Sequence, residues 1–586
     1  MIRKFLYFFQ IFLTILILIP DRVLADSATI SSDSSTQQDI DGDGEFLTVN
    51  DNSTLNTGAT KPANITGDNV DVTVESGSTI TSNKVSVFAD NTSDLTITNS
   101  GTISATGTNS IDVKGTTDAT IVNNSGGTIS SARNTIRTSP TGSNNTTGLT
   151  ITNSGTIEAT GSGSAIFSSG ANSTATITNK AGGQITNSDS SNATIRVGTS
   201  STIVNSGTIK NTNSVDDDAI KLYGNNATIT LKDGGIIVGK IDGQSRTGST
   251  LKFNHGVGQG YFYETEGDFT LQDLDGNQVV EGSAASVGQG GNETIDELLG
   301  YKSLNIRQSL NRFTKSKDFE DKKTQWQGIQ ATHSKRKEHT QNLALGYEFY
   351  SLGVNIFRPL DNINVITTLE FSKQEFQKDH DIERYNILTG LHLNDTESKN
   401  KFTRNTFILG GATLNKSKRR ILTNTTSSGL DNLTDSYESF EIHAGKIFKN
   451  KKIFPNIGAN ISHSFTPAHE ESKYYNWEDK HVTNFSVDLN DEYIFESKKN
   501  NSKLSFGWIL DYRTLILDSK QKYSVKSTNA TYYQDDELTK EMTFSLNIGY
   551  EKAFYKFGKI LIAIDGKSTT QDVNSIGANI SFIKVL

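Results

Sequence analysis

The sequence contains no cysteine among its 586 residues, and all nine histidines lie at or after His255. Disulfide bonds and thiol chemistry are therefore excluded. Without histidine, the N-terminal part cannot form a Ser-His-Asp, Cys-His or histidine-ligated zinc site. No GxSxG motif and no GxxxxGK[ST] phosphate-binding loop is present. The formal net charge of -9 is spread without a basic face, which disfavours a nucleic-acid partner.

Aromatic residues are scarce in the first half of the chain and common in the second. Residues 47–250 contain only Phe88, Phe167 and Tyr223, whereas residues 301–586 contain 36 of the 50 aromatics. A chain of this length can hold at least two domains. The change in composition places the boundary between Lys240 and about Thr314.

The aromatic-poor part is a repeat. Phrases such as "LTITNSGTI" recur eight times, and their first apolar anchors are spaced by 25, 23, 24, 30, 26, 26 and 26 residues. These anchors are Val49, Val74, Ile97, Ile121, Ile151, Ile177, Ile203 and Ile229. Most units carry a further apolar pair, such as Ile195 with Val197, so we expect three short strands per period.

Strands this short, punctuated by Gly and Asn, favour a solenoid with one turn per period. Equivalent isoleucines then stack inside, and each strand pairs in parallel with the turns on either side. Gly and Asn suit the corners because both tolerate positive φ. Stacked Asn and Thr side chains can form hydrogen-bonded ladders along the axis.

The N-terminus predicts a secretory signal peptide over residues 1–25. Arg3 and Lys4 precede an apolar run from Phe5 to Ile19, and a small-residue cleavage site ends at Ala25. The alternative, a retained transmembrane helix, is disfavoured because the run is shorter than the roughly 20 residues needed to span a bilayer.

From Gln325 onward, long segments alternate between apolar and polar residues. Leu504, Phe506 and Trp508 share one face of a segment whose other face carries Lys503 and Asp511. This pattern is typical of a transmembrane β-barrel, although a single segment would also fit a soluble sandwich. Twelve strands are predicted, near 325–335, 340–358, 362–374, 383–393, 402–413, 436–447, 453–465, 481–496, 502–517, 540–552, 556–565 and 575–586.

The predicted loops favour a barrel over a sandwich. Those after the second, sixth, eighth and tenth strands are short, and those after the fifth, seventh and ninth are long, as short periplasmic turns and long outer loops require. The loop at 394–401 is longer than this scheme predicts. The second strand changes phase around Tyr350 and Ser351, which predicts a bulge or two separate strands.

The segment from Asn292, "NETIDELLGYKSLNIRQSLNRFTK", predicts a helix between the two halves, with Asp296 and Glu297 near its start. The order of signal peptide, solenoid, helix and twelve-stranded barrel resembles the autotransporters of type V secretion across essentially the whole chain. The "TNSGTI" repeats at Thr98 and Thr152 resemble passengers of the adhesin branch. Trp326 with "GIQATHS" resembles the start of a first barrel strand.

The resemblance implies an all-β protein: a right-handed parallel β-helix passenger, a short helix and a 12-stranded antiparallel transmembrane β-barrel. Its expected domains are the signal peptide 1–25, the passenger 26–250 with repeats at about 47–240, the neck and pore helix 251–315, and the barrel 316–586. One departure is the C-terminus. Relatives commonly end on an aromatic residue that the assembly machinery reads, whereas this chain ends on Leu586, with Phe582 nearby.

The resemblance also implies a location, partners and a role. The barrel is expected as a monomer in the lipid of a Gram-negative outer membrane, inserted by the barrel assembly machinery, with the passenger displayed at the cell surface. Its expected partner is an extracellular surface, cell or glycan. We predict that the passenger stays attached, because neither Asn305 nor Asn311, in the region where relatives can be cut, has a paired asparagine.

Three functions remain open from the sequence. The first is a self-exporting, non-enzymatic adhesin that needs no cofactor. The second is a surface enzyme acting on polysaccharide, with the acidic cluster Asp216, Asp217 and Asp218 as its candidate carboxylates; the alternative for this cluster is a solvated turn. The third is a plain outer-membrane channel, which has no need of eight repeats.

A second acidic stretch, "DIDGDGEF", is a weak calcium candidate. Asp39, Asp41 and Asp43 alternate and precede Gly44, as in the first half of a calcium loop. The twelfth position is Asn50 instead of the expected Glu. The alternative is an exposed acidic leader before the first solenoid turn.

Overall fold

The computed structural model describes residues 27–50, 52–139, 146–168, 173–280, 284–288, 294–315, 324–337, 346–360, 363–393, 405–448, 455–518, 521–526, 531–534, 540–554 and 558–585. The chain forms two compact units. The first extends to His255 and includes Tyr263–Leu274 and Leu422–Leu430. The second comprises Gly256–Phe262, Asp275–Ile421 and Asp431–Leu586.

The first unit is a parallel β-solenoid with three sheets, which confirms one turn per sequence period. One sheet has eleven strands: Ala28–Ile30, Phe46–Val49, Asp71–Val74, Thr96–Asn99, Thr120–Asn123, Leu149–Asn153, Ala175–Asn179, Thr202–Asn205, Thr228–Lys232, Ser249–Asn254 and Phe269–Asp273. The second has eight: Thr54–Asn56, Thr79–Ser82, Thr102–Ala105, Thr128–Ser131, Thr156–Ala159, Gln184–Asn187, Thr208–Asn211 and Ile236–Val238. The third has ten: Gln38–Ile40, Ala63–Ile65, Val87–Asp90, Ile111–Lys114, Ile136–Ser139, Ile166–Ser168, Ile195–Val197, Asp218–Leu222, Lys240–Asp242 and Thr265–Glu266.

The predicted anchors form the core of the solenoid. All eight are at most 1% exposed, and adjacent turns pair them directly, for example Ile151 with Ile177 and Ile177 with Ile203. The predicted asparagine ladder is also present. Each Nδ2 donates to the Oδ1 of the next asparagine at 2.8–2.9 Å, along Asn99, Asn123, Asn153, Asn179 and Asn205. Each amide therefore satisfies its neighbour inside the apolar stack.

The solenoid is longer than the eight sequence repeats. It begins at Ala28–Ile30 and still pairs at Phe269–Asp273. The outermost turns lack the "TNSGTI" phrase, so the sequence repeat does not extend to them. Their backbones nevertheless join the same ladder, because parallel pairing requires alternating inward residues and no fixed phrase.

The second unit contains a closed antiparallel barrel of twelve strands, as predicted. Its sheet order runs from β5 down to β1, then from β12 down to β6, and pairing of β5 with β6 closes it. The strands β1 to β12 are, in order, Thr324–Arg336, Tyr347–Leu360, Ile363–Phe376, His380–Leu393, Thr406–Thr423, Leu430–Phe448, Asn456–Thr466, Lys480–Ser497, Ser502–Asp518, Lys540–Phe554, Gly558–Thr569 and Val573–Val585.

Over most of their length the barrel strands direct apolar side chains outward. On β10 the outward side chains of Phe544, Leu546 and Ile548 are exposed, while Ser545 between them is fully buried. The same alternation holds on β4, where Tyr385 and Ile387 are exposed and Asn386 is buried. An apolar outer face and a polar lumen are the pattern of a transmembrane barrel.

Two predictions about individual strands are wrong. First, β2 pairs with β3 residue by residue from Tyr347 to Leu360, so the expected bulge at Tyr350 and Ser351 is absent from this described strand. The sequence changes phase there because Tyr347 points inward, where it packs on Phe376 with ring centroids 5.9 Å apart.

Second, the expected long loop after the fifth strand is mostly strand. β5 continues to Thr423 and β6 begins at Leu430, so only a short turn connects them. The two long connections after β7 and β9 do form additional structure. They contribute a four-stranded sheet from His469–Glu470, Tyr475–Trp477, Gln521–Val525 and Thr531–Gln534.

The predicted helix is confirmed as α1, Ile295–Lys315. No helix among the described residues is both long and apolar enough to cross a bilayer. The predicted signal peptide at 1–25, the loop at 394–401 and the terminal Leu586 lie outside the described residues.

Candidate functional site

The helix α1 lies inside the barrel. At about 1.5 Å per residue its 21 residues extend about 30 Å, the thickness of a bilayer core. Its side chains bond to residues on seven strands around it: Arg336, Glu441, Asn460, Asp488, Asp511, Glu541 and Lys567. A helix that contacts so many strands fills the lumen.

A buried arginine anchors the middle of the helix. The guanidinium of Arg307 contacts Asp488 on β8 and donates to Asp511 on β9 at 2.7 Å and to the hydroxyl of Ser486 at 3.0 Å. Arg307 is 1% exposed. Removing one partner of a buried pair costs about 3–5 kcal/mol, because it leaves an unpaired charge. Arg307 therefore ties the helix to two neighbouring strands.

A second polar cluster holds the start of the helix. Glu297 accepts a hydrogen bond from Arg336 on β1 at 2.6 Å, and the hydroxyl of Tyr301 lies 3.0 Å from Glu297 and 2.9 Å from Glu541. Arg513 donates to Glu541 at 2.6 Å. Each buried carboxylate thus has a cationic partner, as burial requires.

Glycine allows the helix to approach this cluster. A Cβ at Gly300 would lie 2.5 Å from Cδ of Arg513, closer than real Cβ contacts permit. A larger residue would displace either the helix or the arginine that pairs with Glu541. The glycine in the local sequence "LLGYKS" therefore allows the helix to pack closely against the Arg513 side chain of the barrel.

Apolar packing closes one end of the lumen. Ile306 and Leu310 of the helix belong to a buried apolar cluster. The cluster includes Trp326 near the start of β1 and Ile583 near the end of β12. The other members are Phe357, Ile366, Leu388, Phe407, Leu409 and Ile447. The rings of Trp326 and Phe357 meet edge to face at 4.5 Å. The cluster packs around the last turns of the helix and forms an apolar seal at this end of the lumen.

Little space remains beside the helix. Among the cavities that α1 and the described barrel strands line, two measure about 20 and 30 Å³, enough for one or two water molecules each. One lies next to Lys302 and Asn386, the other next to Leu299 and Tyr437. Neither is large enough for a solute.

The opposite end of the barrel carries the four-stranded outer sheet. Its inner face contributes Tyr475, Trp477 and Tyr523 to a buried apolar cluster that also contains Phe262 and Val287 of the segment preceding the helix. The Tyr475 hydroxyl donates to the carbonyl oxygens of Tyr261 at 2.7 Å and Ser286 at 3.1 Å. The outer sheet therefore holds the backbone that leads into the lumen.

An arginine reinforces this outer cluster. Arg419 on β5 forms a two-pronged ion pair with Glu471, at 2.6 and 2.5 Å, and donates to the carbonyl oxygen of Val287 at 2.5 Å. Its guanidinium also lies 5.0 Å from the centre of the Tyr475 ring. Such planar, paired contacts fix geometry as well as charge.

The structure does not bring the calcium candidates together as a ligand set. Asp39 accepts hydrogen bonds from Gln37 at 2.7 Å and Asn64 at 2.8 Å, and Asp43 accepts from the backbone amide of Asp68 at 3.1 Å. Asp41 lies exposed in the turn between them. Among the residues that the structure describes, no three His, Asp or Glu side chains converge so as to hold a metal ion.

The acidic cluster of the solenoid lies at a turn. Asp217 accepts from Asn213 at 2.7 Å, Asp216 is exposed, and Asp218 pairs with Lys221 at 2.8 Å. Burial alone would lower the pKa of Lys221, but its hydrogen bonds to Asp218 and Asp242 outweigh burial and raise that pKa. The three carboxylates thus point to different partners and share no cleft.

Sequence reasoning does not identify the lumen contacts. The alternation places Lys503 and Asp511 on the inner face, and the helix is predicted, but a one-dimensional pattern cannot tell which strand faces which side of a helix. One signal is available: Arg307 is a charged residue in a stretch flanked by Leu304, Ile306 and Leu310. A charge in such a setting predicts a buried partner.

Solved structures similar to this chain include autotransporter domains and a toluene transporter. The translocator domain of autotransporter NalP from Neisseria meningitidis matches at 8% identity, covering 50% of this chain and 99% of that chain, with a TM-score of 0.34. The β domain of the Bordetella autotransporter BrkA matches at 6% identity, covering 45% and 100%, with a TM-score of 0.28. The Pseudomonas putida toluene transporter TodX matches at 10% identity, covering 47% and 93%, with a TM-score of 0.24.

These scores are too low to carry an argument about function. No family model and no curated protein matches the sequence. A function for this chain must therefore be inferred from its own architecture.

Proposed function

We propose that the chain is an autotransporter of the type V secretion class, which exports its own solenoid through the outer membrane of a Gram-negative bacterium. The observation that carries this proposal is α1, a helix inside a closed twelve-stranded barrel and continuous in sequence with a preceding solenoid. A chain that has passed through the barrel leaves its last segment in the lumen. The domain order agrees with the expectation drawn from the resemblance.

The filled lumen supports export over the channel hypothesis. A channel for solutes needs an open path, whereas this helix is fixed by buried ion pairs and an apolar seal. In the proposed function this state follows export: the helix closes the pore that the chain has used. The channel hypothesis would gain support only if the helix left the lumen.

Solenoid folding provides a source of energy for export. Each completed turn buries an aliphatic anchor such as Ile177 and adds one asparagine to the ladder. Apolar burial stabilises by about 25 cal/mol per Å² removed from water, so a turn formed outside opposes return of the threaded chain. No nucleotide is needed.

The test of export uses whole cells. An epitope inserted at the exposed turn near Asn213 should be accessible to antibody and protease added outside intact cells. A deletion of β10 to β12 should abolish this signal while the tagged chain remains detectable after lysis. A tag that is reached only after lysis of wild-type cells would contradict export.

We further propose that the displayed solenoid is an adhesin and not an enzyme. Support comes from its outward faces, where partly exposed threonines align in consecutive turns, as in the row Thr96, Thr120, Thr150, Thr176 and Thr202. Parallel strands space such hydroxyls about 4.8 Å apart. A long array of weak, identical contacts suits binding to a cell or glycan surface by multivalency.

A deletion of residues 150–201, compared with the variant D216N, distinguishes the adhesin hypothesis from the enzyme hypothesis. It removes two turns in register, because Thr150, Thr176 and Thr202 occupy equivalent positions. Surface display should persist, and adhesion of cells or binding to a glycan array should fall partially. The matched variant D216N should leave binding unchanged. Turnover of a polysaccharide that D216N abolishes would overturn this proposal in favour of the enzyme.

The prediction that the passenger stays attached belongs to the same proposal. The side-chain oxygen of Asn305 contacts the Lys567 ammonium, so this amide already has a partner in the lumen. A full-length band in outer-membrane fractions, without a shed fragment in the medium, is expected. We also propose that the assembly machinery inserts the barrel although the chain ends on Leu586. The same full-length band in outer-membrane fractions would show this insertion.

A further inference from the structure

We propose that the lumen contains a self-modification site, in which Lys302 of the helix forms an isopeptide bond with Asn386 of the barrel wall and Glu441 transfers the proton. The three residues lie on three elements, α1, β4 and β6. An amine, a carboxamide and a carboxylate together supply a nucleophile, an electrophile and a proton carrier. The inference is independent of the export proposal, since it requires only the closed barrel.

One oxygen atom connects the two reacting groups. Oε1 of Glu441 lies 2.5 Å from Nζ of Lys302 and accepts a hydrogen bond from Nδ2 of Asn386 at 3.1 Å. The nucleophilic nitrogen and the nitrogen that would leave therefore contact the same proton acceptor. Reach within hydrogen-bond distance is the first requirement of a general acid-base group.

The surroundings hold this arrangement in place. Thr413 donates to Oε1 of Glu441 at 2.8 Å and accepts from Asn386 at 2.6 Å. His443, which is fully buried, lies 3.1 Å from the other carboxylate oxygen. Both oxygens of the Glu441 carboxylate thus have hydrogen-bond partners, which fix its orientation. A carboxylate in a surface ion pair is not fixed in this way.

The reacting groups are largely shielded from water. The side chains of Lys302 and Glu441 are 16% and 5% exposed, and the adjoining cavity holds about one water. Protein side chains, and not solvent, hold the reacting groups in such a site, so the amine and the amide stay in contact with the same carboxylate oxygen. Few waters also limit competing hydrolysis of the amide.

The reaction balances without any other reagent. Glu441 takes a proton from the Lys302 ammonium, and the neutral amine attacks Cγ of Asn386. Glu441 passes this proton to Nδ2 and the Cγ–Nδ2 bond breaks, so that ammonia leaves. The attacking nitrogen then gives its second proton to Glu441, which passes it to the departing ammonia. The products are a secondary amide, an ammonium ion and the Glu441 carboxylate. Fixed neighbours can react with effective molarities on the order of 10⁵ M or more, and a bond that forms once per molecule can form slowly.

The test is the intact mass of the full-length protein purified from outer membranes. The expected mass is lower than that of the leader-processed sequence by one ammonia, and a digest should yield one branched peptide joining residues 302 and 386. K302R preserves the charge that pairs with Glu441, and both K302R and E441Q should lose the branched peptide completely.

Two controls make the result decisive. K567R changes a second lysine that contacts an asparagine of the same helix, Asn305, and should keep the full mass loss. A heat-dependent shift on SDS gels shows for each variant that the barrel is folded. An unreduced wild-type mass, a loss that survives K302R or E441Q, or a branch at Asn305 would overturn the proposal.

Discussion

The solenoid and the barrel are both made of β-strands, yet they bury opposite kinds of side chain. In the solenoid Ile177 is fully buried, whereas in the barrel Ile548 is 51% exposed. Charges follow the reverse rule: Arg307 is buried in the lumen, and Arg137 of the solenoid is 41% exposed. The same alternating strand pattern therefore suits a surface in water and a surface in lipid. Apolar inward residues indicate that the solenoid is surrounded by water, and polar inward residues indicate that the barrel is surrounded by lipid.

The largest expected difference concerns these two arginines. Arg307→Ala leaves Asp488 and Asp511 without their cation and should cost about 3–5 kcal/mol of barrel stability. Arg137→Ala breaks an ion pair with Asp112, at 3.7 Å, in which the arginine side chain is 41% exposed. Asp112 keeps its hydrogen bond from Asn109, so the change should cost at most about 1 kcal/mol. Urea unfolding of the full-length protein in detergent measures both. Equal losses would contradict the distinction between the two halves.

Outward positions give the next contrast. Ile548→Arg places a charge in lipid and should destabilise the barrel by about 2–4 kcal/mol if the residue lies near the bilayer centre. Thr176→Arg places the same residue on a water-exposed solenoid face, where the change should stay within about 0.5 kcal/mol. Unfolding in liposomes provides the comparison. A tolerated arginine at 548 would argue against lipid contact.

The asparagine ladder gives a smaller effect. Asn153→Ala removes a buried amide that donates to Asn179 and accepts from Asn123, so both neighbours lose a bond. The expected loss is about 1–3 kcal/mol of solenoid stability. Asn213→Ala, at an exposed turn, is the matched control and should change little. Circular dichroism of thermal unfolding distinguishes the two variants.

A single methyl group gives the smallest contrast. Ile177→Val leaves a small void in the packed core and should cost about 0.5–1.5 kcal/mol. Ile562→Val on the lipid face should have almost no effect, because lipid chains fill the space. Chemical unfolding of the two variants in parallel measures the difference. A larger loss at 562 than at 177 would reverse the assignment.

The periodic parts of the fold are well predicted from the sequence. The anchors from Val49 to Ile229 recur at nearly constant spacing, and a fixed spacing has one geometric solution in a solenoid. The barrel strands follow from alternation, because lipid imposes an apolar residue at every second position. Both signals are local, so one chain suffices to detect them.

Two kinds of feature are not predicted from the sequence: strand ends that extend beyond the lipid layer, and contacts between residues that lie far apart in the chain. β5 and β6 extend past the predicted ends because "KSKRR" and "LTDSY" lie where no apolar face is required, so alternation stops before the strand does. The outer sheet pairs Tyr475–Trp477 with Gln521–Val525 from a different loop, and no local signal encodes that pairing. The partners of Arg307 and Lys302 are likewise set by how the helix is rotated in the barrel.

In this account, the outward side chains of each barrel strand contact lipid and the inward side chains face the helix in the lumen. The absence of cysteine allows single cysteines at Phe544, Ser545, Leu546 and Ile548 of the full-length protein to carry spin labels in liposomes. Labels at Phe544, Leu546 and Ile548 should collide with oxygen dissolved in lipid and be shielded from a water-soluble nickel complex, while the label at Ser545 should be shielded from oxygen. Uniform exposure to the nickel complex at all four positions would contradict the account.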